Sequence, residues 1–328
     1  MKTGIIGFGK MGQIRAQVIE EDGRGEIIQV YDVDRGLVDH RYAMAESPEE
    51  IIANPEIEAV FICTPNHLNR SLTIAALQAG KHVFCEKPPA FTLDEVEEIK
   101  RVEQHAMGQK LMYGFNHRHH GSIQKMKQLI DDGQYGKILW MRGRYGKNVD
   151  AGFYDEWRAD KERAGGGIML DQGIHMLDLF LYLAGEFDDV HAFVSNLYWK
   201  LPIEDNVFAI LRNRDTGVVA SLHSTMTQWR HLFSLEVFLE QGYMVLNGLK
   251  TSSGAYGEEE LSIALNRAAP PDASWDDEER LVYDSDDFWL SEITHFFDSI
   301  VDDTPVAIGN SDDAVRLMRM MDKIYENK

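Results

Sequence analysis

The chain reads as an α/β protein: an N-terminal doubly wound parallel sheet, then an α+β domain built on an open, mostly antiparallel sheet. Three observations predict this. Short apolar runs alternate with helical patterns as far as residue 118. Beyond that point strand-like runs follow one another across tight turns. A glycine loop stands directly after the first apolar run. A length of 328 residues suits two domains, 1–118 and 119–328.

The elements follow in order. Thr3 to Ile6 is a short strand, and Gly7-Phe8-Gly9-Lys10-Met11-Gly12 comes next. A helix runs through Ile14 and Val18, then a strand from Ile27 to Tyr31 ends at Asp32, twenty residues after Gly12. This G-x-G-x-x-G, with a strand before it, a helix after it and an acid at that distance, predicts a Rossmann dinucleotide site. Gly7 makes the turn, Gly9 admits the pyrophosphate and Gly12 lets helix and strand pack, while Phe8, Lys10 and Met11 complete the loop. The helix N-terminus faces the phosphates. Asp32 would accept hydrogen bonds from the adenosine ribose and repel a 2′-phosphate, so NAD is favoured over NADP. Arg35, three residues on, softens that preference.

Pro48 to Ala53 reads as a helix, Glu58 to Cys63 as a buried strand, and Leu68 to Ala79 as a helix stopped by Gly80. His82 to Cys85 is a strand. Thr92 opens a helix with T-L-D-E that runs to about Met107. Lys110 to Phe115 is the last strand of this domain. A helix from Ser122 to Asp131 follows. Strands are expected at Ile138–Lys147, Val190–Trp199, Asn206–Arg212, Val218–Ser224, Phe233–Leu239 and Tyr243–Asn247. Short links such as Asp215-Thr216-Gly217 and Gln241-Gly242 make neighbours antiparallel. Residues 251–287 are polar and acidic, contain Pro270-Pro271, and read as a surface excursion with weak strands. Helices over Asp287–Val301 and Asp312–Glu326 close the chain.

Ala164 to Asp178 carries the chemistry of the second half. Leu170, Ile174, Leu177 and Leu181 form one apolar helical face. Asp171, His175, Asp178 and Tyr182 form a stripe beside it. A carboxylate one turn from an imidazole can orient the ring and stabilise its charged form. Taken alone, the stripe also fits a solvated flank. Asp171, His175 and Asp178 have the donors for a divalent ion, but a hydride-transfer site with a lysine donor needs none, and no metal is expected.

Doubly wound sheets bind ligands at the carboxyl ends of their strands. Three polar segments stand there: Thr64-Pro65-Asn66, Glu86-Lys87-Pro88 and Asn116-His117-Arg118. All three should face the cofactor cleft, with Lys87 pinned by the prolines after it. Cys63 and Cys85 form neither a disulfide framework nor a zinc pair, and read as small buried hydrophobes of a reducing compartment. His119, His120 and His223 are assigned to packing or surface. The net charge of −21 argues against bulk binding to nucleic acid or anionic membrane. No apolar run approaches the ~20 residues of a membrane span, and the first residues enter a strand without a targeting segment. A cytoplasmic protein is expected.

Together G-F-G-K-M-G, C-T-P-N, A-G-K-H-V-F-C-E-K-P, N-H-R and G-G-G-I-M-L-D-Q-G-I-H-M-L-D resemble the glucose–fructose oxidoreductase/inositol dehydrogenase (Gfo/Idh/MocA) family, from Lys2 to about Gly185. The resemblance implies that Lys87, Asp171 and His175 are the catalytic group. It also implies that Gly7, Gly9, Gly12, Asp32, Thr64, Pro65, Asn66 and Glu86 line an NAD site, with Asn116 at its margin. Family members often carry a histidine three residues after the asparagine of T-P-N; here that position is Asn69. The family also implies a homodimer or homotetramer through an exposed face of the second sheet.

The residues fit the chemistry. When a secondary alcohol is oxidised, hydride goes to the nicotinamide and a proton leaves the oxygen. His175 can take the proton, Asp171 can orient the ring, and Lys87 can place the oxygen and share the proton transfer. From Lys110 to Val149 eight basic residues face two acidic ones, +6 locally. Arg142 and Arg144 share a strand face with Trp140, and Trp157 and Arg158 precede the glycines. With Arg118 these are expected to receive an anionic sugar such as a uronate or nucleotide sugar; the alternative is pairing with acidic surface or a second subunit. The leading reading is an NAD-dependent sugar or cyclitol dehydrogenase. The others are an NAD-dependent glycosidase working by oxidation and elimination, and a non-catalytic NAD-binding sensor, which would have no reason to keep Lys87 and His175.

Overall fold

The computed structural model describes residues 1–106, 108–266, 269–285 and 287–326. They form two compact units, Met1–Asn116 with Asp287–Met318, and His117–Asp286 with Arg319–Lys328.

The first unit begins with β1 (Lys2–Ile6), α1 (Lys10–Asp22), β2 (Glu26–Tyr31), α2 (Pro48–Ala53) and β3 (Ala59–Ile62). It continues with α3 (Asn69–Gln78), β4 (His82–Cys85), α4 (Leu93–His105) and β5 (Leu111–Tyr113). All strands are parallel, in the order β2-β1-β3-β4-β5. The chain winds outward in both directions from β1 and β3, so the switch point lies between their carboxyl ends. Every residue of β3 is buried, as a sheet covered on both faces requires. Two glycines shape the loop after β1. Gly7 has φ +91°, and a Cβ there would lie 2.5 Å from the Cys63 carbonyl oxygen. A Cβ on Gly12 would lie 2.1 Å from the Gly7 carbonyl oxygen. Thr92 caps α4 by accepting the Glu95 N–H at 3.4 Å; Met107, the expected end of that helix, lies outside the described residues.

The second unit holds α5 (Gly121–Asp131), β6 (Ile138–Asn148), α6 (Lys161–Ala164), a π-helical turn at Met169–Gly173 and α7 (Ile174–Ala184). Its remaining strands are β7 (Asp189–Ser195), β8 (Asn206–Arg212), β9 (Val219–Thr225) and β10 (Thr227–Leu239). They are followed by β11 (Gly242–Asn247), β12 (Glu259–Leu265) and β13 (Glu279–Tyr283). The sheet runs β13-β12-β11-β10-β6-β9-β8-β7 and is antiparallel throughout except where β6 meets β9. β12 and β13, in the stretch expected to be a surface excursion, extend it at one edge. β7 stops at Ser195 rather than Trp199, because the Asp205 carboxylate accepts the N–H groups of Leu197, Tyr198 and Trp199 at 2.9, 2.7 and 2.9 Å and curls the chain.

α7 lies on one face of this sheet. Gly143 on β6 leaves room for it: a Cβ there would sit 2.3 Å from Met176 Sδ. The helix is buried all round from Ile174 to Leu181, His175 and Asp178 included. The polar stripe is therefore no solvated flank. The opposite face of the sheet carries exposed Trp140, Phe193, Phe208 and Ile210.

α8 (Phe288–Val301) and α9 (Ser311–Glu326) close the chain. The division at residue 118 differs from the compact units, because residues 287–318 fall in the first unit. The cause is the apolar face of α8. Ile293, Phe296 and Phe297 are buried against Ile19, Phe61 and Phe84, with Phe296 centred 5.7 Å from both Phe61 and Phe84. Among the described residues no helix is long and apolar enough to cross a membrane.

Candidate active site

In the first unit, the carboxyl ends of β1, β3 and β4 bring forward the glycine loop, Thr64-Pro65-Asn66 and Glu86-Lys87-Pro88. Gly9 is the N-cap of α1, and no side chain caps that helix. Its first N–H groups are therefore available to an anion. A Cβ on Gly9 would meet nothing within 4 Å, so the loop is open where a pyrophosphate would approach. Asp32 accepts the Phe8 N–H at 2.5 Å on one oxygen and the Asp34 N–H at 2.8 Å on the other. Its carboxylate is thereby held beside the loop, with lone pairs left for ribose hydroxyls. These residues fit a bound dinucleotide. Arg35 is held by Glu46 through two bonds of 2.9 and 2.8 Å.

Between Val83 and Ala90 every residue is buried except Lys87, which is half-buried. Asn69, noted in the sequence only as a departure, is fully buried beside that loop. It donates to the carbonyls of Glu86 and Pro88 at 3.1 and 2.8 Å and accepts from the Thr64 hydroxyl at 3.2 Å. Glu86, expected to line the NAD site, turns its carboxylate to Arg15 Nε at 2.7 Å. Arg15 is wholly buried and lies between the rings of Phe84 and Trp289, 4.4 and 4.8 Å from their centres. Glu292 on α8 pairs with it at 2.6 Å. Burial pushes the Glu292 carboxyl up to about 7 against the pull of Arg15. Cys85 is buried, which pushes its thiol up to about 12, an inert thiol as its strand position implies.

In the second unit, Asp171 sits in the π-helical turn, a feature that recurs at functional sites. Its carboxylate meets Lys147 Nζ at 2.6 Å and Arg158 Nε at 3.7 Å. His175 is buried, its ring stacked on His117. His117 Nε2 lies 3.1 Å from the Tyr145 hydroxyl. Tyr145 packs edge-on to Tyr256 at 5.2 Å, and Gln172 donates to the Tyr256 hydroxyl. Burial, with Tyr256 and Asp171 nearby, pushes the Tyr145 hydroxyl well above its usual range. Asp171 and His175 thus stand among Lys147, Arg158, Tyr145, Tyr256, Gln172 and His117.

The expected substrate residues divide. Arg158 and Trp157 reach this cluster, with the guanidinium 4.5 Å over the indole. Arg118 does not serve as a surface cation: it is buried and bidentate to Asp178 at 2.8 and 2.6 Å. Arg142 and Arg144 are exposed on the opposite face of β6 from Tyr145, because side chains alternate along a strand. Arg142 pairs with Glu236 at 2.7 Å, and Trp140 stacks on Phe238 at 4.1 Å. The same alternation puts Lys147 on the Tyr145 side, and the local charge count hid that signal.

The chain thus joins a Rossmann unit with an open glycine loop to a sheet unit carrying an Asp–His cluster, the architecture of a two-domain dinucleotide-binding protein. Residues 1–115 match the family described as oxidoreductase family, NAD-binding Rossmann fold, and residues 123–245 match the GFO/IDH/MocA C-terminal domain. The chain belongs to the GFO/IDH/MocA family. It is 37% identical to levoglucosan dehydrogenase of Pseudarthrobacter phenanthrenivorans over 47% of this chain and 40% of that protein. It is 25% identical to myo-inositol 2-dehydrogenase of Thermotoga maritima over 97% and 93%. The chain spans 62% or less of the length of the first curated relatives it matches. A levoglucosan dehydrogenase structure with NADH and levoglucosan shares the fold, with a TM-score of 0.87 at 24% identity over 100% of this chain and 96% of that one.

Proposed function

We propose that this chain oxidises a secondary hydroxyl of a sugar or cyclitol with NAD, and that Lys87, Asp171 and His175 handle the proton. The observation that carries the reading is Lys87: one half-buried ammonium in a strand-end loop whose other residues are buried, in a family of sugar and cyclitol dehydrogenases. NAD, when bound, supplies the hydride acceptor. The glycine loop and the α1 N-terminus receive its pyrophosphate, and Asp32 receives the ribose. The Arg35–Glu46 pair supports NAD over NADP. Lys87 donates a hydrogen bond to the reacting oxygen. His175 accepts the proton, its ring held by His117. Asp171, bridged to Lys147 and Arg158, fixes the charge beside that ring.

With Arg118 and Arg142 paired elsewhere, Arg144 exposed on the opposite face of β6, and Lys147 and Arg158 both on Asp171, a neutral polyol suits the cluster better than an anionic sugar. The exposed apolar face of the second sheet, Phe193, Phe208 and Ile210 among its residues, suits a second copy of the chain in a homodimer or homotetramer; light scattering of Phe208→Glu beside the unaltered protein checks this. The catalytic reading is tested by NADH absorbance with NAD or NADP against levoglucosan, myo-inositol, glucosides and uronates. NADH formation reduced by about 100-fold or more, with measurable residual turnover, in Lys87→Met is the expected result. NAD binding without turnover of any of these compounds would count against it.

A further inference from the structure

We infer that Asn69 is a positioning residue for Lys87. Its side chain is fully buried at the first residue of α3. The amide nitrogen donates to two carbonyls, Glu86 at 3.1 Å and Pro88 at 2.8 Å. One immediately precedes Lys87 in the chain and the other immediately follows it. A primary amide has two N–H donors, and this pair of carbonyls uses both. The amide oxygen accepts from the Thr64 hydroxyl at 3.2 Å. One side chain therefore ties the loop after β3 to the loop after β4 and brackets Lys87 from both sides. The stretch needs such a tie, because Pro88 and Pro89 have no N–H with which to hold it. An amide suits this role, since a carboxylate lacks the donors, and an apolar residue of the same size would take both donors away, leaving the Glu86 carbonyl with the weak Cys85 thiol at 3.4 Å.

The inference rests on the reading of Lys87 as the catalytic ammonium. Its role is in aim, and aim is costly to lose: a displacement of about 1 Å at a reacting group can cost about 100-fold in rate. Substrate binding rests on other residues, and Asn69→Asp keeps the acceptor for the Thr64 hydroxyl, so NAD and substrate binding should be nearly untouched in that variant.

The experiment compares full-length Asn69→Leu and Asn69→Asp with the unaltered protein. NAD affinity is read by fluorescence titration, and kcat and KM are read with NAD and myo-inositol, or with another polyol that is turned over. Amide exchange is read in peptides covering residues 82–91. The expected result is an NAD Kd within about 3-fold in Asn69→Asp, a kcat lower by about 10- to 100-fold in both variants, and faster exchange confined to that loop. Combined with Lys87→Met, the Asn69 substitution should add little further loss, since the two act as one unit. A folded variant with kcat within about 2-fold of the unaltered protein would overturn the inference, as would losses that multiply fully in the double variant. Should Asn69→Leu not fold, Asn69→Asp decides, since it keeps the shape and the acceptor while removing both donors. Full activity in Lys87→Met would instead refute the catalytic lysine. In that case, or if no polyol is turned over, loop exchange decides: unchanged exchange in the Asn69 variants overturns the tie, and raised exchange upholds it.

Discussion

The imidazole of His117 lies flat on that of His175, with ring centres 3.9 Å apart and planes 17° from parallel. The two rings come from a turn before α5 and from the first turn of α7. The Tyr145 hydroxyl fixes the outer ring at 3.1 Å, so His117 acts as a wall that sets the plane of His175. Ring stacking is worth about 0.5–1.5 kcal/mol beyond burial. His117→Ala should lower kcat by about 10-fold, and His117→Phe, which keeps the flat contact, should lose much less. Steady-state rates of the two variants, beside their melting temperatures, check this.

The pair of Arg118 and Asp178 is almost wholly buried. Removing one member takes this buried ion pair from the other, a loss of about 3–5 kcal/mol. Asp178→Ala should show that loss in urea unfolding. A variant as stable as the unaltered protein would show that the pair contributes nothing.

Glu292 gives the first unit a pH dependence. Its carboxyl is raised from 4.5 to about 7 in the folded chain. Between those values the native state holds a proton that the unfolded chain has released. Stability contributed by this group therefore falls as pH rises through the window and levels off above it. The loss is about 3 kcal/mol at most. Glu292→Gln should flatten the change in unfolding free energy between pH 5 and pH 8; an unchanged slope would place its origin elsewhere.

Glu46 holds the Arg35 guanidinium, the group expected from the sequence to soften the preference for NAD. Exposed pairs of this kind are worth up to about 1 kcal/mol. Glu46→Gln should therefore raise the NADP-to-NAD ratio of kcat/KM by about 5-fold. A ratio that does not move would mean that Asp32 alone sets the preference.

What the sequence made legible was local. The roles of Gly7 and Gly12 follow from spacing, and the structure shows why no side chain fits at either. The ends of β8 and α2 stand where the pattern puts them. What stayed hidden depends on partners far along the chain. Arg118 and Asp178 are 60 residues apart, and a net charge count cannot show that one cancels the other. Arg15 looks like any helical cation until Glu86 and Glu292 close on it. The stacking of α8 against Phe61 and Phe84 is an apolar pattern that names no particular neighbour. Lys147 was within reach of sequence reasoning, because strand alternation alone separates it from Arg142 and Arg144.

That alternation makes β6 a two-sided rail. Tyr145 and Lys147 face Asp171 and His175, and Trp140, Arg142 and Arg144 face outward. A single residue inserted before Trp140 would exchange the two sets without altering any residue type. Conversely, positions 140, 142 and 144 offer an engineer attachment points whose redesign leaves Asp171, His175 and their neighbours where they are.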